Sequence, residues 1–335
     1  MHIHDVLIVG AGPAGLAAAI AAKQRQLDYQ VLEKGVLVNS IYRFPRHMIF
    51  FTTPELLEIG GLPLISPYEK PTRLEALRYY RRVAEAYELD IEYGEEVLQV
   101  TPEGEKVDGP VFTVETRSAR GVRRARHARA VVLAVGYYDH PNLIGVPGED
   151  LPHVSHYYEE AHPHYQRRVV IVGGGNSAAE AALELHRAGA TVTLVHWHPE
   201  LKPTIKYWIR PDIENRMKEG SIGARFDTRV VEIRPTEVVV EGPEGREELP
   251  ADAVLLLTGY HTDSDLLARA GVRCDAATAK PEFDPVTLET NIPGLFLAGS
   301  VVSGRDTSAI FIENGRFHGE AIVKVISERR ALIRR

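Results

Sequence analysis

Two segments of the chain show the same succession of an apolar run, a glycine-rich turn, an alanine-rich stretch and a second apolar run. Residues 5–33 read DVLIVGAGPAGLAAAIAAKQRQLDYQVLE, and residues 168–196 read RVVIVGGGNSAAEAALELHRAGATVTLVH. Continuous β-branched runs are typical of parallel strands that are buried on both faces. The pattern therefore predicts one strand–helix–strand unit that is used twice.

The rest of the pattern predicts one further helix and a set of strands. Residues 72–87 can form a charged amphipathic helix, with Leu74, Leu77, Val83 and Ala84 on one face. Strands are predicted at residues 96–101, 111–116, 129–135, 229–241 and 253–258.

Two short turns, at residues 135–141 and 258–264, bracket the second strand–helix–strand unit and are predicted crossing points between two domains. The predicted fold class is α/β, with two doubly wound Rossmann-like domains. The first would be discontinuous, comprising residues 1–140 plus 262–335, and residues 141–261 would form the inserted second domain.

Composition narrows the class of protein. The chain has 335 residues, more than one average domain, and a formal net charge of −7, which argues against a nucleic-acid-binding surface. Its one cysteine, Cys274, excludes a disulfide framework and an intramolecular dithiol. No apolar run approaches the ~18 residues of a membrane helix, and no secretory signal is visible. We therefore expect a cytoplasmic enzyme.

The first glycine turn has the features of a dinucleotide-binding fingerprint. Gly10, Gly12 and Gly15 follow an apolar strand and open a helix, where they permit a tight turn, approach of a pyrophosphate and close helix packing. The helix N-terminus offers free N–H groups to the phosphates. Glu33 stands 23 residues after Gly10, where a carboxylate can bind both hydroxyls of an adenosine ribose.

The second fingerprint differs in one position that matters. Gly173, Gly175 and Ala178 repeat the turn, but 23 residues after Gly173 stands His196 rather than an acid. Basic groups that can meet a 2′-phosphate are His196, His198, Lys202 and Lys206. This site is predicted to prefer NADPH over NADH, although a merely solvated basic face is the alternative. Two such sites on one chain indicate FAD in the first, NADPH in the second and hydride transfer between them.

With these motifs, the whole chain resembles flavoproteins of the thioredoxin reductase type, which have two dinucleotide-binding domains. Residues 134–136 resemble that family's segment beside FAD, and residues 291–299 (NIPGLFLAG) resemble its late strand that closes on the flavin. That family usually has Asp after this strand, where this chain has Ser300. The stretches 39–63, 136–152 and 310–319 resemble the bacillithiol disulfide reductase family more narrowly. This second resemblance implies an NADPH-dependent flavoenzyme that reduces the disulfide of a low-molecular-weight thiol.

The chain departs from the patterns of these two families at two places where they carry cysteine. Residues 154–166 lack the Cys-x-x-Cys pair of thioredoxin reductases, which excludes the usual dithiol relay. The bacillithiol enzymes carry a cysteine inside the first fingerprint, and the matching residue here is Ala14. Cys274 lies in a GVRCDAAT segment and is interpreted as structural.

The motifs and the resemblance together imply two sets of cofactor-binding residues. The FAD set is Gly10, Gly12, Pro13, Ala14, Gly15, Glu33, Lys34, Asn39, Tyr42, Val97, Ala134, Gly136, Gly299, Ser300, Ile310 and Phe311. The NADPH set is Gly173, Gly174, Gly175, Asn176, Ser177, Ala178, Glu180, His196, Trp197, His198, Lys202, Lys206 and Gly259.

The pattern does not identify a catalytic residue. His47 is one candidate proton donor, and Glu313 with His318 could form a donor and its orienting partner or a plain helix-surface pair. Four histidines crowd residues 153–164, but neither a cysteine nor a paired carboxylate completes a ligand set there. No metal is therefore expected.

The resulting hypothesis is an NADPH-dependent FAD oxidoreductase, a homodimer, that reduces a small disulfide such as bacillithiol disulfide. One alternative is a flavin reductase that acts on ferredoxin, quinone or oxygen. A flavin monooxygenase is another, although its F-x-G-x-x-x-H motif is matched only by His156. A third is a redox-sensing protein that holds FAD and NADPH. Neither nucleic acid nor a membrane is expected as a partner.

Overall fold

The computed structural model describes residues 2–106, 109–307 and 309–333. They divide into two compact units, one drawn from residues 1–140 and 260–335 and the other from residues 141–259. The second crossing predicted from the sequence, between residues 261 and 262, lies two residues beyond this division.

The described residues form strands and helices in both units. Within the described residues, the strands are β1 (Ile3–Val9), β2 (Tyr29–Glu33), β3 (Ile91–Tyr93), β4 (Glu95–Lys106), β5 (Gly109–Ser118), β6 (Arg123–Leu133), β7 (Val154–Ser155), β8 (Arg168–Val172), β9 (Thr191–Val195), β10 (Gly223–Arg225), β11 (Arg229–Arg234), β12 (Glu237–Gly242), β13 (Gly245–Pro250), β14 (Ala253–Leu256) and β15 (Leu295–Leu297). The helices are α1 (Pro13–Gln24), α2 (Asn39–Arg43), α3 (Pro54–Leu57), α4 (Arg73–Ala86), α5 (Asn176–Arg187), α6 (Arg210–Lys218), α7 (Ser264–Arg269), α8 (Ile312–Gly315) and α9 (His318–Ile333), with short 3₁₀ helices at His162–His164 and Gly299–Ser303.

The first unit is built on a sheet whose order is β3-β2-β1-β6-β5-β4, with β15 also paired to β6. Strand β6 pairs in parallel with β1 along most of its length, pairs antiparallel with β5 through its first half and pairs with β15 through its last three residues. One long strand therefore joins a parallel sheet to an antiparallel one. The carboxyl ends of β1, β6 and β15 lie at the same edge.

The second unit repeats the scheme with separate sheets. A parallel sheet has the order β10-β9-β8-β14-β7, and an antiparallel sheet has the order β11-β12-β13. The segment 229–241, predicted as one strand, is in fact the hairpin of β11 and β12, which turns at residues 235–236. Both halves are apolar on one face, so the sequence pattern alone does not reveal the turn.

Each parallel sheet separates two hydrophobic cores because its strands are apolar on both faces. In β1, Val6 and Ile8 face the core formed with α1 and α9, whereas Leu7 and Val9 face the core formed with β4, β5 and α7. In the second unit, one face of β8 packs under α5 and the other packs under β11–β13. The predicted α/β class with two Rossmann-like domains is confirmed, with antiparallel strands covering the second face.

Helix α4 forms as predicted, and its buried face matches the predicted one only in part: Val83 is buried and Leu77 packs against the core, as expected. Thr72 caps its N-terminus and shares a reciprocal capping box with Glu75. Tyr79 and Tyr80 are buried on the inner face, whereas Leu74, predicted to be inside, is 50% exposed. None of the described helices has both the length and the apolar character that crossing a membrane requires.

Candidate functional site

The first glycine turn connects β1 to α1 in very little space. Gly10 has φ +105°, and a Cβ there would lie 2.5 Å from the carbonyl oxygen of Ala134, which follows β6. A Cβ at Gly15 would overlap the carbonyl oxygen of Gly10. These two glycines therefore allow α1 to pack closely against the ends of β1 and β6.

Gly12 is different, because space rather than crowding surrounds it. A Cβ there would meet no atom within 4 Å, and the backbone is extended (φ −76°, ψ 176°). Gly12 is the N-cap of α1, a position at which the helix leaves backbone N–H groups without intrahelical partners. The open space beside these donors, with no acidic residue in the first turn of α1, fits the pyrophosphate predicted from the sequence.

Glu33 is held at the carboxyl end of β2 by the backbone of two turns. The residue is 6% exposed, and two backbone groups donate to its carboxylate: Ala11 N to Oε2 (2.8 Å) and Gly35 N to Oε1 (2.7 Å). Burial raises the pKa of Glu33 despite these two donors. Each oxygen retains an acceptor position, so the fixed carboxylate can accept from the two hydroxyls of a ribose.

The late segment after β15 closes on the same turn. A Cβ at Gly299 would lie 2.8 Å from Cβ of Ala14, and a Cβ at Gly136 would lie 3.8 Å from Oγ of Ser300. The structure therefore brings together Ala14, Gly136, Gly299 and Ser300, which lie far apart in the sequence.

Other residues of the predicted FAD set differ in exposure. Lys34 and Tyr42 are exposed, and the guanidinium of Arg73 lies 5.6 Å from the Tyr42 ring centroid. Val97 and Ile310 are partly buried against the core on the β4 side, whereas Phe311 is 48% exposed.

Asp139 is a residue of this region that sequence reasoning missed. Its carboxylate accepts from Arg43 Nη1 (2.7 Å) and lies 2.9 Å from Lys34 Nζ. It thereby joins the turn after β2 and helix α2 to the segment after β6. Asp139 lies about 100 positions after the other two residues, and no sequence pattern links it to them.

The contacts of His318 differ from those expected of a proton donor that is paired with Glu313. His318 Nδ1 accepts a hydrogen bond from Gly299 N (3.1 Å), and burial lowers the pKa of His318. Its partner is therefore the backbone of the late segment, and no hydrogen bond among the described residues joins it to Glu313. His47 is exposed.

The one cysteine has a structural setting. Cys274 is half-buried, its Sγ lies 3.9 Å from the carbonyl oxygen of Val272, and it packs against the core on the β4 side. Burial raises its pKa, which disfavours the reactive thiolate.

The second glycine turn repeats the crowding of the first. A Cβ at Gly173 would overlap the carbonyl oxygen of Leu257, which follows β14, and would lie 3.3 Å from Cβ of Ala178 in α5. Gly175 is the N-cap of α5, as Gly12 is of α1. Ser177 is exposed in the first turn of α5, and Gly259 ends the segment after β14.

The segment after β9 folds back onto this turn and carries two lysines with it. Lys202 N donates to the carbonyl oxygen of Gly174 (2.9 Å), and Lys206 N donates to Asn176 Oδ1 (2.9 Å). Asn176 Nδ2 in turn donates to the carbonyl oxygen of Thr204 (3.2 Å). Because Lys202 is exposed and Lys206 is half-buried, the N-terminus of α5 has two cationic lysine side chains beside it, and the exposed His198 lies on the same segment.

His196, predicted to contact a phosphate as a cation, is corrected by the structure. Its ring is fully buried beside Trp197, and a Cβ at Gly174 would overlap its Nε2. Burial, assisted by His198 and Lys202, lowers its pKa to about 4. It is therefore neutral at pH 7 and cannot supply a positive charge. Neither ring nitrogen has a hydrogen-bond partner among the described residues.

Glu180, on α5, provides a test of these electrostatics. Burial and the neighbouring Glu184 raise its pKa to about 7. The folded protein thus binds more protons than the unfolded chain between pH ~4.5 and ~7, so this group's contribution to stability falls as pH rises through that range. Glu180→Gln should raise the free energy of unfolding by about 1–2 kcal/mol at pH 8 and by much less at pH 4.5.

Urea unfolding of the variant and the natural protein at both pH values measures this difference. Groups common to both proteins cancel when the difference is taken at each pH. An equal difference at the two pH values would show that the Glu180 carboxyl titrates normally.

The chain was compared with known proteins. Residues 7–299 match the model of the family described as pyridine nucleotide-disulphide oxidoreductase. The chain is 43% identical over 326 residues to bacilliredoxin reductase Bdr of Bacillus subtilis, covering 96% of this chain and 97% of that protein. It is also 30% identical to the ferredoxin–NADP reductase of Thermus thermophilus, covering 89% of this chain and 85% of the relative.

Solved structures give the same result. Bacillithiol disulfide reductase Bdr from Bacillus cereus superposes with a TM-score of 0.94 at 40% identity, covering 98% of this chain and 100% of that chain. The thioredoxin reductase of T. acidophilum, at 22% identity, has a TM-score of 0.75 over 98% of this chain and 99% of its own, which shows a shared fold. Both resemblances found in the sequence are confirmed.

Proposed function

The chain belongs to the pyridine nucleotide-disulphide oxidoreductase family, and from this premise we propose that it is a reductase of a low-molecular-weight disulfide such as bacillithiol disulfide. It is an oxidoreductase that uses FAD and NADPH, which supply hydride and electron transfer when bound. Reduction of one disulfide to two thiols consumes one NADPH and one proton. The observation that carries the proposal is the full-length similarity to enzymes named for bacilliredoxin and bacillithiol disulfide.

We assign the cofactors to the two parts of the chain by their glycine turns. Residues 1–140 plus 262–335 would bind FAD, with the space at Gly12 for the pyrophosphate and Glu33 for the ribose. Residues 141–261 would bind NADPH, with Lys202 and Lys206 beside the 2′-phosphate. The support is the open N-terminus of α1, the fixed carboxylate of Glu33 and the lysines folded against α5.

His318 would serve this site as a positioning residue. Because Nδ1 accepts from Gly299 N, the neutral ring carries its proton on Nε2. Protonation of Nδ1 would break the bond to Gly299, so the contact favours the neutral ring. We propose that His318 fixes the late segment beside Ala14 instead of delivering protons.

Ferredoxin reduction is the second candidate function. It is favoured by the relative from Thermus thermophilus and by Ala14, since an electron transfer to ferredoxin requires no protein thiol. A disulfide acceptor, in contrast, is usually attacked by a thiolate.

One experiment separates these functions. Steady-state NADPH oxidation by the FAD-loaded enzyme would be measured with bacillithiol disulfide, bacilliredoxin, ferredoxin, a quinone and oxygen as acceptors, after an anaerobic stopped-flow measurement of flavin reduction. Fast turnover with bacillithiol disulfide supports the proposal, whereas fast turnover with bacilliredoxin alone would show that the acceptor is a protein disulfide. Turnover with ferredoxin alone would show that ferredoxin reduction, the second candidate, is the function. Slow flavin reduction without turnover would indicate a redox-sensing protein.

The nicotinamide preference tests the second glycine turn. We expect kcat/KM for NADPH to exceed that for NADH by at least tenfold, about 1.4 kcal/mol, from charge-assisted contacts to the 2′-phosphate. Lys202→Glu should reduce this ratio about tenfold or more, chiefly by weakening NADPH, because an anion would then face the phosphate. Lys218→Glu, at the exposed end of α6, is the matched control and should leave the ratio unchanged. Equal use of both nicotinamides by the natural enzyme would refute the assignment.

Assembly and location complete the proposal. We propose that the enzyme is a homodimer, and the single cysteine favours a cytoplasmic location. Light scattering on the purified enzyme measures the first, and cell fractionation measures the second.

A further inference from the structure

Three metal-ligating side chains meet at the start of strand β1, outside the glycine turns. His2 precedes β1 and His4 is its second residue, so the two side chains lie on the same face of the strand. His2 Nε2 lies 3.0 Å from Asp28 Oδ2, and His4 Nδ1 lies 3.2 Å from Asp28 Oδ1. The two imidazole rings are perpendicular, with centroids 4.4 Å apart.

We propose that His2, His4 and Asp28 bind a divalent metal ion of the zinc type. Zn–N bonds of about 2.0–2.1 Å and Zn–O bonds of about 2.0–2.2 Å place tetrahedral ligand atoms about 3.4 Å apart. The donor atoms of the three residues all lie within 4.8 Å of one another. The two His–Asp distances, 3.0 and 3.2 Å, are already close to the spacing of tetrahedral ligands. Small side-chain shifts therefore suffice to close them around an ion.

The carboxylate is held in place by the pairing of the two strands. Val6 pairs with Tyr29 in the parallel ladder of β1 and β2, which sets Asp28 beside Asp5. Asp5 N donates to the carbonyl oxygen of Asp28 (2.8 Å), and Asp28 N donates to Asp5 Oδ2 (2.8 Å). Because the backbone of Asp28 is fixed on both sides, its side chain remains directed to the two imidazoles.

The charge of the site and the types of its donor atoms determine which metal ion it can bind. Asp5 forms an ion pair with Arg330, so its charge is compensated locally and Asp28 supplies one negative charge to the site. Two imidazole nitrogens and one carboxylate suit zinc, nickel or copper, whereas magnesium and calcium prefer oxygen ligands. His2 is exposed, so water can fill a fourth position.

The site lies at the amino end of β1, and the turn at Gly10 lies at the carboxyl end of the same strand. A metal bound there would fasten the first residues of the chain to the connection before β2 without touching the proposed FAD site. Its expected consequence is a metal-dependent gain in thermal stability, and the rate of NADPH oxidation should not change.

The test uses the full FAD-loaded protein, purified without a polyhistidine tag and stripped with a chelator. Calorimetric titration with Zn²⁺ should show one ion per chain and a raised Tm. Titration with Co²⁺ should give the visible absorption of four-coordinate cobalt. Asp28→Asn and His2→Gln/His4→Gln should each weaken binding by about tenfold or more and remove the cobalt absorption.

The chain supplies a matched control in a second His-x-His pair, His162 and His164, which lies on a 3₁₀ helix. Among the described residues this pair belongs to no converging set of metal ligands. His162→Gln/His164→Gln should therefore bind zinc like the natural protein. Equal binding by the natural protein and all three variants would mean an adventitious surface ion only, and the absence of binding by the natural protein would mean that the three residues form hydrogen bonds alone. Either result overturns the proposal.

Discussion

Gly12→Val is expected to abolish FAD binding while the protein still folds. A Cβ at position 12 meets no protein atom within 4 Å, and the extended backbone there is accessible to valine. The new side chain would occupy the space beside the N-terminus of α1 that we assign to the pyrophosphate. We expect a loss of at least a hundredfold in FAD affinity, about 2.7 kcal/mol. Valine is a poor N-cap, so a stability loss of about 1 kcal/mol should accompany it.

The flavin-to-protein absorbance ratio after purification and FAD titration of the apoprotein measure this effect, and circular dichroism checks the fold. Gly15→Ala provides the contrast, because its Cβ would overlap the carbonyl oxygen of Gly10 and should impair folding itself. A folded Gly12→Val protein with a normal flavin content would place the pyrophosphate elsewhere.

Ala14→Cys is expected to raise disulfide reductase activity by about tenfold or more. Residue 14 is the second residue of α1, where the positive end of the helix dipole lowers the pKa of a thiol. Its Cβ lies next to Gly299, so the new sulfur would stand between the fingerprint turn and the late segment. The natural chain offers only Cys274, whose pKa is raised by burial, as an attacking thiol.

The measurement is kcat/KM for bacillithiol disulfide, compared with the anaerobic rate of flavin reduction by NADPH, which should be nearly unchanged. Ala14→Ser is the control, because it adds a similar volume and a hydroxyl but no thiolate. If the natural enzyme already reduces the disulfide rapidly and the cysteine adds nothing, Ala14 does not limit the reaction. In that case the disulfide would be reduced without a protein thiol at position 14.

The errors in the sequence-based fold have specific causes. On α4 the apolar pattern favoured Leu74 for the interior, but the structure buries tyrosines there. Their hydroxyls bind the backbone of the segment before the helix: Tyr80 donates to Leu57 O (2.9 Å), and Tyr79 accepts from Ile59 N (2.7 Å). A hydropathy pattern treats tyrosine as a poor core residue because it cannot represent these distant partners.

The sequence by itself determined the two strand–helix–strand units, because the apolar runs, the glycine spacing and the helix N-termini act within about 30 consecutive residues. It likewise placed Glu33 at the end of β2. Only the tertiary structure decided the charge of His196 and the approach of Ala14 to Gly299. A pKa depends on the residues that exclude water from a group, and an approach depends on how distant strands pair. Both are set by segments that are far apart in the chain, so no local pattern contains them.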